Sequence, residues 1–177
     1  MNGVRGAWCA VVAGLVLCVV APGRAVAQDD EIGIAIGARP AAVTIEDLAG
    51  RPVDLGQIVG RKPVLLEFWA TWCPLCAELL PKISAAHARY GNRVEFVIVA
   101  VAVNQSQTSI QRHLEKHPMP FRFLWDTNGR AARAFQAPST SYVVVLDAQG
   151  KVVYTGVGAD QDVEAAIRRA VGDGGGR

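Results

Sequence analysis

The stretch EFWATWCPLC, residues 67–76, puts two cysteines three positions apart directly after an apolar run. That run, Val64–Trp69, is apolar at every position except Glu67, which predicts a central strand covered on both faces. From Pro74 to Tyr90 the apolar residues recur at helical spacing, so we expect a helix that begins between the two cysteines and bends at Pro81. The first cysteine would then lie at the N-terminus of a helix.

The first residues of the chain have the layout of a secretory signal peptide. A short segment with one positive charge, Arg5, precedes an apolar run over residues 7–21, and Ala25-Val26-Ala27 supplies small residues before a polar stretch. The apolar run is shorter than the about 20 residues that span a membrane. We therefore predict a signal peptide over residues 1–27 and a periplasmic protein, in preference to an uncleaved membrane anchor.

Cleavage after Ala27 would remove Cys9 and Cys18 and leave Cys73 and Cys76 as the only cysteines. A disulfide between residues three apart closes too small a loop to constrain the unfolded chain much. The pair is therefore better explained by chemistry than by stabilisation. A helix N-terminus favours a thiolate, so we predict that Cys73 attacks a disulfide and that Cys76, one turn further, resolves the mixed disulfide.

Glu67 is an acid in a strand that we expect to be buried. A buried carboxylate is costly unless it is paired or protonated. Burial raises the pKa of such a group toward neutrality, which makes Glu67 a candidate proton shuttle for the thiol of Cys76. The alternative is that Glu67 reaches solvent or a sheet edge and has no role in catalysis.

Other ligand classes have little support in the sequence. His113 and His117 are helical i, i+4 partners, but they lie far beyond Cys76, so we expect surface residues rather than zinc ligands. A formal net charge of +2, without any block of Lys or Arg, gives no basis for nucleic acid as a partner. We expect neither a cofactor nor a bound metal.

The rest of the chain predicts one mixed α/β domain over residues 41–172, after a flexible lead-in (28–40) and before a flexible tail (173–177). A hairpin over residues 43–55 opens the domain, and a hairpin over residues 142–157 closes it. Between and after them we expect strands over 94–103 and 121–125 and helices over 109–116, 130–135 and 163–171. Asp160 is our candidate cap for the last helix.

Three segments resemble one known family: Ile45–Leu55, Phe68–Cys73 and Leu146–Val153. They are similar to the TlpA/ResA-like thiol–disulfide oxidoreductases of bacterial envelopes. The resemblance implies a thioredoxin fold, a mixed central sheet flanked by helices with an extra N-terminal β-hairpin. It also places Glu67 where thioredoxin itself carries a buried acid, and Pro81 at the proline that bends the active-site helix. It implies action on protein disulfides, in cytochrome c maturation or general disulfide reduction. Because a reductase in an oxidising compartment needs an electron donor, we expect a membrane protein in that role, and we expect a monomer.

The chain departs from that family at two positions. Leu79 stands where many relatives carry an acid, three residues after the second cysteine. Ser141 stands where the family has a cis-proline, and Pro138 lies three residues too early to replace it. Because a cis bond before a residue other than proline costs about 2.5–4 kcal/mol, we expect a trans Thr140–Ser141 bond, with both hydroxyls near the sulfurs.

The predicted substrate-binding residues surround the cysteine pair. They are Trp72, Pro74, Leu75, Thr140 and Ser141. Two alternatives to disulfide exchange stay open because the proline is missing. One is a peroxiredoxin-like thiol peroxidase, although residues 70–73, ATWC, lack the proline of that motif. The other is a copper-binding module without exchange activity, because soft thiolates suit Cu(I).

Overall fold

The structure is a computed structural model, and it describes residues 32–173. The predicted signal peptide and residues 174–177 of the predicted tail lie outside the described residues. Seven strands form one sheet, and helices cover it. The elements in chain order are β1 (Thr44–Asp47), β2 (Pro52–Asp54), β3 (Val64–Trp69), α1 (Pro74–Tyr90), β4 (Glu95–Val101), α2 (Gln107–Lys116), β5 (Arg122–Asp126), α3 (Arg130–Ala134), β6 (Tyr142–Leu146), β7 (Val152–Val157) and α4 (Val163–Ala170).

The sheet has the strand order β2-β1-β5-β4-β3-β6-β7. Strands β3, β4 and β5 are parallel to one another, and the outer strands on both sides are antiparallel. Parallel neighbours need crossover connections, which α1 and α2 supply. This mixed sheet flanked by helices confirms the predicted fold class. Strand β1 pairs with β2 as an antiparallel hairpin at one edge.

Strand β3 lies inside the sheet, and all six of its residues are buried. Successive side chains alternate between the two faces. Leu65 and Trp69 join the core that packs under α1 and α4. Val64, Leu66 and Phe68 join the core on the opposite face, together with Ala131 and Phe135 from α3 and the residue that follows it. The loop that leads to Cys73 therefore follows a fully buried strand.

The described part of the lead-in, for which we expected a flexible segment, makes hydrogen bonds to strands of the sheet. The N–H of Ile34 donates to Tyr142 Oη at 3.0 Å, and Ile34 is buried in the second core. Further on, Gly37 N–H donates to the Val152 carbonyl, and Val152 N–H donates to the Ala38 carbonyl. The polar composition of residues 28–40 did not indicate this contact. One buried isoleucine and a few backbone hydrogen bonds are enough to form it.

The structure also bears on two predictions near the C-terminus, the cap of the last helix and the start of the tail. The cap of α4 is Asp162, whose side chain accepts the N–H of Ala165 at 2.9 Å, so the prediction of Asp160 was wrong. Both aspartates precede the helix, and only the hydrogen bond distinguishes them. Asp173, the first residue of the predicted tail, pairs with Arg93 after α1.

Gly33→Ala is expected to destabilise the fold more than Gly37→Ala. Both glycines have φ of +83°, so both substitutions carry the cost of a left-handed alanine, about 1–2 kcal/mol. At Gly33, an added Cβ would lie 2.1 Å from Tyr142 Oη, whereas at Gly37 it would meet nothing within 4 Å. The clash should add about 1–3 kcal/mol, measured as the difference between the two variants in urea unfolding. Equal losses would show that the lead-in does not pack on Tyr142 in solution.

Candidate active site

Cys73 and Cys76 form a disulfide across the first turn of α1, with their Cα atoms 5.3 Å apart. Cys73 is the N-cap of this helix, and its Sγ accepts the N–H of Cys76 at 3.1 Å. Pro74 occupies the first helical position, where no N–H is needed. After reduction, that N–H and the positive end of the helix would stabilise a thiolate on Cys73.

The loop before Cys73 is anchored to the segment that follows β4. Thr71 donates its N–H and its hydroxyl to Gln105 Oε1, at 2.9 and 3.0 Å. Gln105 Nε2 donates in turn to the Val101 carbonyl at 2.7 Å, and Trp72 Nε1 donates to the Val103 carbonyl at 2.7 Å. Gln105 was not among the site residues predicted from the sequence. The available signal was a polar residue just beyond the carboxyl end of a buried parallel strand.

The surface around the disulfide is apolar. Trp72 is 46% exposed and Leu75 is 43% exposed, although both are large hydrophobic residues. Pro74 is also exposed. Trp72 and Thr140 line one groove of about 750 Å³, which continues over Val103. Large apolar side chains at the surface are typical of a contact site for another molecule. The structure therefore places four of the five predicted substrate-binding residues at the surface beside the cysteines or in this groove.

Ser141 differs from the other predicted contact residues, because it has no exposed surface. Its side-chain oxygen has no hydrogen-bond partner. No peptide bond among residues 32–173 is cis, which confirms the trans Thr140–Ser141 bond. Ser141 instead has φ of +60°, in the left-handed region. The side chain of Ser141 is therefore not part of the exposed surface, whereas its neighbour Thr140 lines the groove.

Glu67 is buried, with 1% of its surface exposed, and its Oε1 has no hydrogen-bond partner. The alternative of a solvent or sheet-edge position is therefore wrong. Because residues two apart on a strand share a face, Glu67 lies on the same face as Leu65 and Trp69, whose core also contains Cys76. Burial away from water raises the pKa of Glu67 to about 8.

His113 of α2 and His117, which caps the end of that helix, do not join the cysteines. His113 and His117 contact each other, with ring centroids 4.9 Å apart, and His113 packs edge-on against Trp69. Partial burial and the neighbouring His117 lower the pKa of His113. Within residues 32–173, no three His, Cys, Asp or Glu side chains lie close enough to hold a metal ion together.

A strand with a buried acid, followed by Trp-Cys-x-x-Cys and by a disulfide on the first turn of the next helix, defines a thiol–disulfide oxidoreductase of the thioredoxin fold. The chain belongs to the Redoxin family, whose sequence model matches residues 36–170.

Individual relatives agree with this assignment. The thiol-disulfide oxidoreductase ResA of Halalkalibacterium halodurans is 28% identical over 123 residues, which are 68% of this chain and 68% of that protein. A secreted disulfide oxidoreductase of Mycobacterium tuberculosis, described as homologous to DsbE, is 28% identical with a TM-score of 0.59, over 72% of this chain and 94% of that one. A thiol:disulfide interchange protein DsbE of Chlorobium tepidum shares the fold with a TM-score of 0.67 and 22% identity, over 81% and 99%.

Proposed function

We propose that this chain is a disulfide reductase in which Cys73 is the nucleophile and Cys76 the resolving thiol. The Cys73 thiolate attacks one sulfur of a substrate disulfide, which breaks that bond and releases one substrate thiolate. Cys76 then attacks Cys73 Sγ, closes the internal disulfide and releases the second substrate thiolate, so two electrons pass to the substrate. The observation that carries this assignment is the position of Cys73 as the N-cap of α1.

Glu67 is the group that we propose to accept the proton of Cys76. The resolving thiol must lose its proton before it attacks, and it lies in a core without water access. A carboxyl group with a pKa of about 8 exchanges protons near neutral pH, where an ordinary glutamate stays ionised. The unpartnered Oε1 supports the same role, because this oxygen is not engaged in a hydrogen bond with another described residue.

The substrates that fit this site are proteins with an apolar segment beside their disulfide. Trp72, Leu75 and Thr140 provide the contact surface, and Pro74 separates the nucleophile from Leu75. Among the described residues, no helix is both long and apolar enough to span a bilayer. We propose a periplasmic monomer, released by cleavage after Ala27, that a membrane protein reduces again. Cytochrome c maturation and general disulfide reduction are the processes that it would serve.

The reduction potential of the Cys73–Cys76 pair tests the direction of electron flow. We expect a value near the reducing end of the scale, roughly −270 mV, in metal-free protein equilibrated with glutathione buffers. A value near roughly −120 mV would make the protein an oxidant instead. Metal content should be measured on the same preparation, with the Cys73→Ser, Cys76→Ser double variant as the control. Stoichiometric copper together with absent exchange activity would replace the reductase by a copper-binding module.

A further inference from the structure

The backbone of Ser141 adopts a conformation that needs support from its neighbours. A φ of +60° is uncommon for a residue with a side chain, since Cβ then crowds the backbone. Ser141 lies at the start of β6, beside the end of β3, where its N–H donates to the Phe68 carbonyl at 2.8 Å. Thr140, its neighbour, lines the groove with Trp72. The backbone of Ser141 is therefore continuous with Thr140, which forms one wall of the groove beside Trp72.

The carbonyl of Ser141 is bound on the opposite side by two donors. Gly158 N–H donates to it at 3.2 Å, and Gln161 Nε2 donates to it at 3.0 Å. Both donors come from the segment between β7 and α4, which lies far from Ser141 in the sequence. Neither the N–H nor the carbonyl of Ser141 is thus left free to move.

Gln161 is buried, with 6% of its surface exposed, and its amide is used at both ends. Its Nε2 also donates to the Gly158 carbonyl at 2.7 Å. Its Oε1 accepts the hydroxyl of Tyr154 at 3.2 Å. A buried amide with both donors and an acceptor satisfied is a fixed element of the core, because every alternative position would leave polar atoms unpaired.

Gly156 provides independent support for this arrangement. A Cβ at this position would lie 2.3 Å from Tyr154 Oη and 2.6 Å from Gln161 Oε1. Its φ is outside the left-handed region, so the backbone does not require glycine here. Glycine is needed here because the Tyr154 hydroxyl and the Gln161 amide occupy the space that a Cβ would fill.

We infer that Gln161 is a positioning residue, which holds the Ser141 loop against the β7–α4 segment and thereby fixes the groove wall at Thr140. A proline ring restricts a loop through its own covalent geometry. Here the same restriction comes from side-chain hydrogen bonds to a backbone carbonyl. The inference rests on the proposed function only where it concerns the binding of a protein disulfide, and the position of the loop can be measured without any substrate.

The test compares Gln161→Met with Tyr154→Phe. Methionine keeps the length and apolar volume of glutamine but removes both donors, whereas phenylalanine removes one hydroxyl and leaves both donors of Gln161 in place. In Gln161→Met, amide hydrogen exchange of Ser141 should accelerate about tenfold, the effect of losing one or two buried hydrogen bonds. Tyr154→Phe should change it less than about threefold, since only the outer bond of the network is lost.

Steady-state kinetics with a protein disulfide give the second measurement. We expect KM to rise about fivefold in Gln161→Met with kcat nearly unchanged, because only the contact surface moves. Reduction of the Cys73–Cys76 disulfide by dithiothreitol should be unaffected. Gly156→Ala, which disturbs the same network from β7, should raise KM as well, and it replaces Gln161→Met if that variant does not fold.

The outcomes are separable. Unchanged exchange of the Ser141 amide in Gln161→Met would overturn the proposed attachment of the loop. Accelerated exchange with an unchanged KM would overturn the positioning role. A wild-type protein without exchange activity would overturn the proposed function, and hydrogen exchange would still decide whether Gln161 holds the loop.

Discussion

Cys73→Ser is expected to abolish disulfide exchange, and Cys76→Ser is expected to accumulate a mixed disulfide with the substrate. In Cys73→Ser, the serine hydroxyl supplies an oxygen acceptor at the N-cap in place of Sγ, so the fold should survive. Without the nucleophile, turnover should fall by at least about a thousandfold, as it does when other enzymes lose theirs. Without the resolving thiol, the first step still occurs, but the covalent intermediate has no intramolecular exit.

Each of the two variants is the experimental control for the other. Mass spectrometry after mixing with a protein disulfide should find the covalent adduct on Cys73 in the Cys76→Ser variant. The Cys73→Ser variant should form almost none, because Cys76 has only 1% of its surface exposed and lies behind the first helical turn. An adduct on Cys76 in Cys73→Ser would reverse the two roles.

The parts of the fold that the sequence predicts are those that local pattern determines. The apolar run over residues 64–69 predicted β3 with the bounds that the structure has. The helical spacing of the apolar residues after Pro74 predicted α1. Both patterns depend on burial along one short segment, so no distant residue is needed to read them. The buried position of Glu67 followed for the same reason, because a strand covered on both faces leaves no exposed side for its side chain.

The parts that the sequence does not reveal depend on contacts between distant segments. The left-handed backbone of Ser141 follows from bonds to Phe68 and to Gln161, which the fold brings together from both directions along the chain. Gln161 has no periodicity or spacing that marks it, and Gln105 has only its position beyond the end of a buried strand. Amide side chains are common in surface loops, and only the structure shows which of them are buried against a backbone carbonyl.

Glu67→Gln is expected to change how the stability of the oxidised protein depends on pH. The folded protein holds the Glu67 proton up to a pKa of about 8, whereas the unfolded chain releases it near the ordinary value of 4.5. Below pH 4.5 the Glu67 carboxyl is protonated in both states, so its titration does not change the free energy of unfolding there. Between those values the folded state binds more protons, so stability falls as pH rises, and above about pH 8 the loss is complete.

The size of this loss has an upper bound. The interval from 4.5 to about 8 corresponds to about 5 kcal/mol, at about 1.4 kcal/mol for each pH unit. We expect at least about 2 kcal/mol, because local relaxation and water entry reduce the penalty of a buried charge. Urea unfolding of wild type and Glu67→Gln at pH 5 and pH 9 measures it as a difference, in which the other groups cancel. Glu115→Gln, which removes an exposed acid from α2, is the matched control.

The same substitution tests the proton shuttle. Glutamine occupies the same volume but cannot take the proton of Cys76, so resolution of a preformed mixed disulfide should slow by about a hundredfold at neutral pH. Wild type should show a pH dependence of this step that follows a group titrating near 8, and Glu67→Gln should lose it. The free energy of unfolding then tests whether Glu67 is a buried acid, and the rate of resolution tests whether it accepts the proton of Cys76. A stability difference that varies with pH, together with an unchanged pH dependence of resolution, would leave Glu67 a buried acid with no part in the chemistry.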